Sequence, residues 1–288
     1  MKTFQNTLGQ TETEEELKAK YNPEGSPLRR VQMETLKMLI WLDGICKENK
    51  LDYFLSGGNI LGIVRHEGHY VPWDDDIDIY MMEKDCKKLE KLLMTEKYQN
   101  DNYVLQNHKT DNGYYTFWPV IRYTKSEFVE DVRIHNSRKY RGCQIDIFPL
   151  AERRSRIFAH FFVHFETLNK KLFIGRKGCG WLASFMYNLE MYIFIPIFKF
   201  LSFLFSWRNK GMLCHAYPNV FFEEEHKKSD IFPLKKAVFE GYEFPVPNNM
   251  TAYLKSVYGE NYMILSSPHE RDHHNVIEYK FFDNDCPI

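Results

Sequence analysis

The sequence predicts an α+β fold in which helices flank a central mixed sheet and a helical, apolar insertion follows the sheet-forming part. Three observations support this prediction. Apolar residues recur at helical spacing over 28–49, short segments between 51 and 148 have strand patterns, and an aromatic-rich helical stretch follows Glu152. The 288 residues suffice for one large domain with a substantial insertion, and 44% hydrophobic residues can fill its core.

Charge balance and cysteine usage limit the classes of function. Lys and Arg total 38 against 39 Asp and Glu, which argues against a nucleic acid polymer as a partner because such a partner requires a broad basic surface. The six cysteines include no Cys-x-x-Cys pair, which favours a reducing compartment. Residues 1–27 are a polar tail without the apolar core of a signal peptide, so we expect a cytoplasmic protein.

The first elements place a glycine turn between a strand and a helix. The pattern over 28–49 predicts an amphipathic helix that packs on the sheet. Leu51–Leu55 is typical of a short strand, which stops at Ser56-Gly57-Gly58, and residues 59–65 can begin a helix.

This turn has the features of a phosphate site. Glycines at 57 and 58 let backbone N–H groups approach an anion, and the N-terminus of the following helix attracts negative charge. Ser56 belongs to the same turn. Arg65 and His66, at the end of the short helix, and Arg122, on a later strand, are candidates to contact a donor phosphate.

The acidic run Trp73-Asp74-Asp75-Asp76-Ile77-Asp78 is the strongest chemical signal in the chain. Because side chains alternate along a strand, Asp76 and Asp78 share one face, about 6 to 7 Å apart along the backbone. Two carboxylates so close repel each other unless a cation lies between them. Oxygen ligands suit Mg²⁺ or Mn²⁺, which also bind substrate phosphates. Asp74 and Asp75 are expected to support the pair.

Two other interpretations of the acidic run fit less well. A calcium loop starting at Asp74 needs Gly at its sixth position and Glu at its twelfth, where the chain has Ile79 and Asp85. A solvated turn does not explain why Ile77 and Ile79 interleave with the acids.

A third carboxylate comes from a later strand. Ile145-Asp146-Ile147 places one acid between two β-branched residues. If this strand lies beside the first, Asp146 joins Asp76 and Asp78, and three acids can hold two metal ions for in-line phosphoryl displacement. The segments with strand patterns after the acidic run are 103–106, 114–123, 127–134 and 144–148.

The insertion contains the most apolar segment, residues 181–207. Its part Met191–Trp207 carries the single charge Lys199, has basic flanks at 176–177 and 208–210, and is interrupted by Pro196. It is shorter than the ~20 residues that a spanning helix needs. Three interpretations stay open: a buried helical hairpin, a peripheral contact at the inner face of the membrane, and a true span.

Two long motifs closely resemble the LicD family. They are Tyr53 through Gly68, and Pro72 through Ile79 with its acidic run. The resemblance continues at Ile145–Leu150 and within 239–259, and it covers about 28–150 and 235–265. It implies the nucleotidyltransferase fold shared with DNA polymerase β, with a mixed sheet as its core.

The resemblance also implies roles by position. Gly57 and Gly58 would form the phosphate turn, Asp76 and Asp78 the metal pair, and Asp146 the third acid. The family usually has Thr where this chain has Asn59. The implied organisation is a catalytic core at 28–150, an aromatic-rich helical insertion at 151–234 and a completing part at 235–288.

The activity that the resemblance implies is transfer of phosphocholine from CDP-choline to a sugar hydroxyl. The acceptor would be a cell-surface glycan, such as lipopolysaccharide or teichoic acid, or its lipid-linked precursor. Transfer of another phospho-alditol or phospho-sugar from a nucleotide-diphosphate donor is the alternative, as is a metal-dependent glycosyltransferase. A metal-bound glycan-binding or assembly protein is the alternative outside catalysis.

Choline recognition needs aromatic faces around a quaternary ammonium. The cluster Tyr114, Tyr115, Phe117 and Trp118 offers them, with Tyr115 and Trp118 as the candidate contacts. An aromatic stripe on a strand also fits ordinary core packing, so both interpretations stay open.

Overall fold

The computed structural model describes residues 2–130, 132–152, 154–205, 210–221, 223–271 and 276–282. Trp207 and Arg208, which were predicted to end and flank the apolar segment, lie outside these ranges. Residues 272–275 and 283–288 of the C-terminal part lie outside them too.

Helices and strands follow one another along the described residues. The helices are α1 (Glu14–Tyr21), α2 (Pro27–Asn49), α3 (Gly57–Arg65), α4 (Glu83–Leu93), α5 (Arg156–Leu172), α6 (Gly180–Leu189), α7 (Ile195–Phe205), α8 (Lys228–Ile231) and α9 (Met250–Tyr258). The strands are β1 (Thr3–Gln5), β2 (Thr11–Thr13), β3 (Tyr53–Leu55), β4 (Ile77–Met82), β5 (Tyr103–Gln106), β6 (Val120–Tyr123), β7 (Ser126–Glu130), β8 (Gln144–Glu152), β9 (Met212–His215), β10 (Glu225–Lys227), β11 (Lys235–Phe239), β12 (Tyr242–Val246) and β13 (Val276–Phe281).

A seven-stranded mixed sheet forms the centre, so the predicted α+β class with a mixed sheet is confirmed. Its main path runs β10-β9-β8-β4-β3, and β6 links β5 to β8. β4 and β8 are parallel, while the other pairs in this sheet are antiparallel. The nine-residue β8 meets β4 along one edge and shares its other edge between β6 and β9.

The predicted adjacency of the two acid-bearing strands is present in the structure. Asp78 lies directly opposite Asp146, with isoleucine pairs on either side of them. The four isoleucines, at 77, 79, 145 and 147, are fully buried. Because side chains alternate along a strand, burying the isoleucines turns the acids of both strands to the opposite face.

Helix α2 covers the core face of the sheet, as its pattern predicts. Ser26 caps its N-terminus by accepting a hydrogen bond from the Arg29 N–H, and Pro27 occupies the first turn, where its missing N–H costs nothing. The inward stripe, which includes Met38, Leu39 and Leu42, is fully buried.

Two predicted strands are shorter than their patterns suggest. Over 114–123 only β6 is a strand, because Pro119 has no N–H for the ladder and residues 114–119 form a loop with buried rings. Over 127–134 the strand β7 ends at Glu130, and a 3₁₀ turn occupies Arg133–Ser137. β7 pairs with the C-terminal β13 outside the central sheet.

The N-terminal segment, which we expected to be a polar tail, is folded. β1 and β2 form a hairpin, and α1 begins with a capping box in which Thr13 and Glu16 exchange hydrogen bonds. Phe4 and Leu17 pack against Leu265. Two buried apolar side chains are too sparse to give a hydropathy signal.

The insertion is a pair of packed helical segments. α6, a π-helical stretch at Glu190–Phe194 and α7 follow one another without a break, so Pro196 does not interrupt the helix as predicted. The π stretch directly precedes the proline and provides irregular backbone where its ring must fit. By length and composition alone, Gly180–Phe205 could cross a membrane, with 26 residues and a mean hydropathy of 1.5 in its most apolar window.

Two acids are buried inside this insertion. Glu166 and Glu190 are 2% and 3% exposed, and oxygen atoms of both have no hydrogen-bond partner. Lys170 forms an ion pair with Glu166 at 2.7 Å. Burial and the neighbouring Glu166 raise the pKa of Glu190 to about 8. Glu190 is therefore mostly protonated at neutral pH.

This raised pKa predicts a loss of stability in alkali. Ionising Glu190 in the folded state is unfavourable. The contribution of this residue to the free energy of unfolding is therefore fully present below about pH 4.5 and is lost as the pH rises through about 8. We expect Glu190→Gln to gain about 1 to 3 kcal/mol over the wild type between pH 5 and pH 9. Urea unfolding at both pH values measures this gain. Glu96→Gln, on an exposed residue, should change nothing, and an equal effect of both variants would contradict the assignment.

Candidate metal centre

The site begins at the turn between β3 and α3. The backbone N–H of Ser56 donates to the carbonyl of Asp78 at 2.9 Å, which fastens the turn to the acidic strand. The N–H of Gly57 donates to the Tyr253 hydroxyl at 2.9 Å. One of the donors expected for a phosphate is therefore used by α9 in this structure.

Both glycines allow a close approach to acids. Gly57 has φ +52°, and a Cβ there would lie 3.0 Å from Oδ2 of Asp78. A Cβ on Gly58 would lie 2.1 Å from Oδ2 of Asp74. The glycines thus let the turn lie directly against two carboxylates, and the positive φ of Gly57 favours glycine there.

Asn59 holds the acidic strand in place from α3. Its side-chain oxygen accepts the N–H of Asp78 at 2.9 Å, and its amide nitrogen donates to the carbonyl of Asp76 at 3.5 Å. The residue is 1% exposed. Where the family that the sequence resembles usually has Thr, this chain has a side chain that bonds the backbone on both sides of Ile77.

Three carboxylates converge at the end of β4. Asp76, Asp78 and Asp146 each offer an oxygen, and these oxygens lie within 4.8 Å of one another. The indole N–H of Trp118 donates to Oδ1 of Asp146 at 2.6 Å and fixes that carboxylate. Three negative charges at this spacing repel one another, and a divalent cation with oxygen ligands relieves the repulsion. The group therefore fits a metal ion.

The other two acids of the run lie outside this group. Asp75 is 1% exposed and accepts a hydrogen bond from the Tyr279 hydroxyl at 3.0 Å. The carbonyl of Asp74 accepts from the Gln32 amide at 2.9 Å. Both residues are tied to elements distant in sequence, which is consistent with the supporting role expected of them.

The C-terminal helix α9 completes the surroundings of the acids. Tyr258 is 44% exposed, and the partial burial of its hydroxyl, with the charges of Asp74, Asp78 and Asp76, raises its pKa above the ordinary value. Tyr253 is fully buried beside Gly57, and its pKa is raised as well, chiefly by burial. Both hydroxyls thus stay protonated and can donate hydrogen bonds toward this acidic region.

Arg65 and His66 form a buried chain of hydrogen bonds. Nε of Arg65 donates to Nε2 of His66 at 3.1 Å, and Nδ1 of His66 lies 2.7 Å from a Glu14 oxygen. Because an arginine can only donate, His66 carries its proton on Nδ1 and is neutral, and burial lowers its pKa. His66 is fully buried, so the structure gives it a positioning role instead of the predicted phosphate contact.

The guanidinium group of Arg65 also forms hydrogen bonds with the backbone of the C-terminal part. Its Nη1 donates to the carbonyls of Tyr262 and Ile264 at 3.0 and 3.4 Å. Burial lowers its pKa to about 10, so it remains cationic at neutral pH. Arg65 lines a cavity of about 770 Å³ together with Gly58, Trp73 and Asp74. A cation therefore lies on the Gly58 side of the turn.

Arg122 lies in the wall of a second cavity, which the three acids also line. Its Nε donates to the Gln106 side chain at 2.9 Å and its Nη1 to the carbonyl of Gly142 at 2.8 Å. Burial lowers its pKa to about 10, and it too stays cationic. It lines the same cavity as Asp146.

This second cavity, of about 400 Å³, opens over the three carboxylates. Rings and cations share its walls. They belong to Tyr114, Trp118, Phe148, Phe221, Arg122, His135 and Arg138.

Tyr115 does not line this acid cavity. Its ring packs against His108 and Tyr187, and its hydroxyl donates to the carbonyl of Gly180 at 3.3 Å. Side chains of neighbouring residues in this loop point to different sides. The predicted contact from Tyr115 is therefore not supported, and Tyr114 lines the cavity beside Trp118 instead.

Several contributors were not identified from sequence. Tyr253 and Tyr258 lie in the C-terminal motifs that resemble the family. The sequence therefore marked these two residues, but it did not show that they lie beside the glycine turn and the acids. His135 lies in the 3₁₀ turn after β7 and Arg138 directly follows that turn, and neither had a sequence signal.

The chain is similar to known proteins of one family. The family model described as "LicD/FKTN/FKRP, nucleotidyltransferase domain" matches residues 50–174. The lipopolysaccharide cholinephosphotransferase LicD of Haemophilus influenzae is 25% identical over 276 residues, which cover 87% of this chain and 97% of that protein. An uncharacterized protein of Rickettsia prowazekii is 41% identical over 46 residues, 16% of this chain and 17% of that protein.

Removing one of the three acids should abolish a metal response. We expect Mg²⁺ or Mn²⁺ to raise the melting temperature of the wild type, and Asp78→Asn to lose this rise because one ligand and one charge are gone. Without metal, Asp78→Asn should be as stable as the wild type or more so, since repulsion falls. Thermal-shift titration measures both effects. Asp52→Asn is the exposed control, and an undiminished metal response in Asp78→Asn would refute the ligand set.

The close approach at the turn predicts a second effect. Gly57→Ala should cost about 1 to 2 kcal/mol, because its φ is strained for alanine and the new Cβ presses on Asp78. Displacing Asp78 should also weaken the metal response. Gly44→Ala is the matched control, since a Cβ there meets no atom within 4 Å, and it should gain up to about 1 kcal/mol of helix stability. Equal behaviour of the two variants would be inconsistent with this geometry.

Proposed function

The chain belongs to the LicD family and is a phosphotransferase, and we propose that it transfers phosphocholine from CDP-choline to a sugar hydroxyl. The observation that carries the proposal is the convergence of Asp76, Asp78 and Asp146 within 4.8 Å, next to a glycine turn and an aromatic cavity. The relative that covers most of the chain is a cholinephosphotransferase by name.

The proposed fold is the nucleotidyltransferase fold, and the cofactor is Mg²⁺ or Mn²⁺, with two ions. Asp76, Asp78 and Asp146 would hold them. Bound there, divalent ions neutralise the charge of a diphosphate and of the transition state. The oxygen-only ligand set and the parallel pairing of Asp78 with Asp146 support this choice.

The proposed reaction is one displacement at phosphorus. The acceptor hydroxyl oxygen forms a bond to the phosphorus that carries choline, the bond from that phosphorus to the bridging oxygen breaks, and CMP leaves with that oxygen. The hydroxyl proton passes to the Asp146 carboxylate, which Trp118 holds in position. Asn59 and the glycine turn keep the Asp76–Asp78 pair aligned.

The aromatic walls of the acid cavity support choline as the transferred group. Trp118, Phe148, Phe221 and Tyr114 present rings beside the carboxylates, and ring faces with nearby negative charge attract a quaternary ammonium. Of the two predicted contacts, Trp118 is retained and Tyr115 is not.

A phospho-alditol is the second candidate. Arg138, His135 and Glu130 line the same cavity. These side chains can hydrogen-bond hydroxyl groups, which an alditol carries and the choline group of phosphocholine does not. A glycosyltransferase is less favoured, because the acids come from two paired strands beside a glycine turn. The same arrangement argues for turnover and against a glycan-binding protein without activity.

The proposed acceptor is a cell-surface glycan such as lipopolysaccharide, or its lipid-linked precursor. A CDP-linked donor is a cytoplasmic nucleotide, so the proposed site of action is the cytoplasm, at the inner face of the membrane. Contact with the membrane through the apolar segment 181–207 belongs to this proposal, and its surface is argued below.

A donor screen tests this function. CMP release should be fastest with CDP-choline, slower with CDP-ribitol or CDP-glycerol, and absent with UDP-sugars, each with and without glycan acceptors. Asp76→Asn should lower the rate by at least about 100-fold at saturating Mg²⁺, since a metal ligand is lost.

Trp118→Phe tests the positioning of Asp146 separately from the aromatic wall of the cavity. It keeps a ring but removes the N–H that binds Asp146, so turnover should fall by about tenfold. A preference for CDP-alditols would select the second candidate, and full activity of Asp76→Asn would overturn the proposed centre.

A further inference from the structure

The helical insertion presents an apolar surface that the proposed reaction does not use. Trp181, Phe185, Tyr192, Phe200 and Phe203 are each between 59% and 75% exposed. They recur at helical spacing along Gly180–Phe205 and lie on the side away from buried Tyr187 and Phe198. Soluble monomers seldom expose so continuous an apolar stripe without a partner.

Helix α5 adds a second stripe, which was not anticipated from sequence. Ile157 and Phe161 are 81% and 58% exposed, and Leu168 and Leu172 continue the same face. α5 packs on the neighbouring helix through ring contacts of Phe165 with Phe194 at 4.4 Å. We call the exposed stripes of these two adjacent helices the insertion surface.

The exposed charges of the insertion segment 154–205 itself have one sign, although Arg156 pairs with Glu225 outside it at 3.7 Å. Residues 154–205 contain seven Lys and Arg and two Glu, although the whole chain has a net charge of −1. Both glutamates are buried, so the exposed charged side chains of this segment are all basic. They are Arg156, Lys171, Arg176 and Lys177.

This combination selects among the classes of partner. An apolar, aromatic face with a cationic margin complements an anionic lipid leaflet, in which rings reach the acyl boundary and basic groups meet lipid phosphates. A second copy of the chain would instead bring two cationic margins together.

The opposite face of Gly180–Phe205 packs against the rest of the protein. Tyr187 stacks on Phe117 with centroids 5.7 Å apart, and Lys199 forms an ion pair with Glu83 at 2.5 Å. A helix that spans a membrane cannot keep these contacts with the sheet domain. The helix therefore has one face for protein and one for lipid, as an interfacial element requires.

We propose that α5 and Gly180–Phe205 dock the protein on an anionic lipid leaflet through the insertion surface. Trp181 and Tyr192 seat at the headgroup level, and Arg176 and Lys177 contact the phosphates. The docking places the acid cavity near lipid-linked acceptors, since Phe117 of the loop before β6 packs on this helix. Lipid binding itself does not depend on which group the enzyme transfers.

Vesicle flotation with the full chain tests the docking. Binding to phosphatidylcholine vesicles with about 30% phosphatidylglycerol should exceed binding to pure phosphatidylcholine by at least tenfold and should weaken in high salt. Trp181→Ser with Phe200→Ser should reduce it by at least tenfold. Tyr242→Ser with Ile277→Ser is the matched control on exposed apolar residues elsewhere, and it should bind like the wild type.

A charge variant gives an independent result. Arg176→Gln with Lys177→Gln should lower binding to anionic vesicles only, while Lys91→Gln with Lys235→Gln leaves it unchanged. The metal-induced rise in melting temperature reports correct folding of every variant. Equal binding by both apolar pairs, resistance to alkaline carbonate extraction, or a dimer that the apolar variant dissociates would each overturn the proposal. These outcomes are separate from the donor screen, because no assay here requires turnover.

Discussion

The parallel pairing of β4 with β8 is the constraint on which the rest of the site depends. It sets Asp78 opposite Asp146 while four isoleucines on the other face enter the core. The hydrophobic gain from burying those isoleucines fixes the register, because a slip by one residue would bury acids and expose isoleucines. The fold thus holds like charges together that would otherwise separate.

The neighbouring elements are arranged around this charged edge. The glycine turn comes close to two carboxylates without a clash, Asn59 holds the strand backbone, and Trp118 binds the third acid. Two buried arginines, Arg65 and Arg122, line two different cavities beside the acidic run. Their hydrogen bonds go to carbonyls, the Gln106 amide and the His66 ring, so they contribute positive charge more than direct ligand contacts.

Much of this organisation could be predicted from the sequence because it is local. The period of 3.6 identified α2, the period of two put Asp76 and Asp78 on one face, and the Ser-Gly-Gly turn marked the start of α3. Asp146 could be added only on condition that its strand lay beside the first, and the register satisfies that condition. Contacts between residues distant in sequence, such as Tyr253 with Gly57 and Glu14 with His66, produce no periodic pattern and could not be predicted from it. The loop at 114–119 was mistaken for strand because its aromatic residues are buried without pairing.

The central claim is that these three carboxylates share a divalent cation. Anomalous diffraction from crystals grown with Mn²⁺ tests it most directly, because manganese scatters anomalously and the protein's oxygen atoms do not. The account predicts a peak bounded by the carboxylates of Asp76, Asp78 and Asp146. A peak at other residues, or an absence of density between the three acids at saturating Mn²⁺, would contradict it.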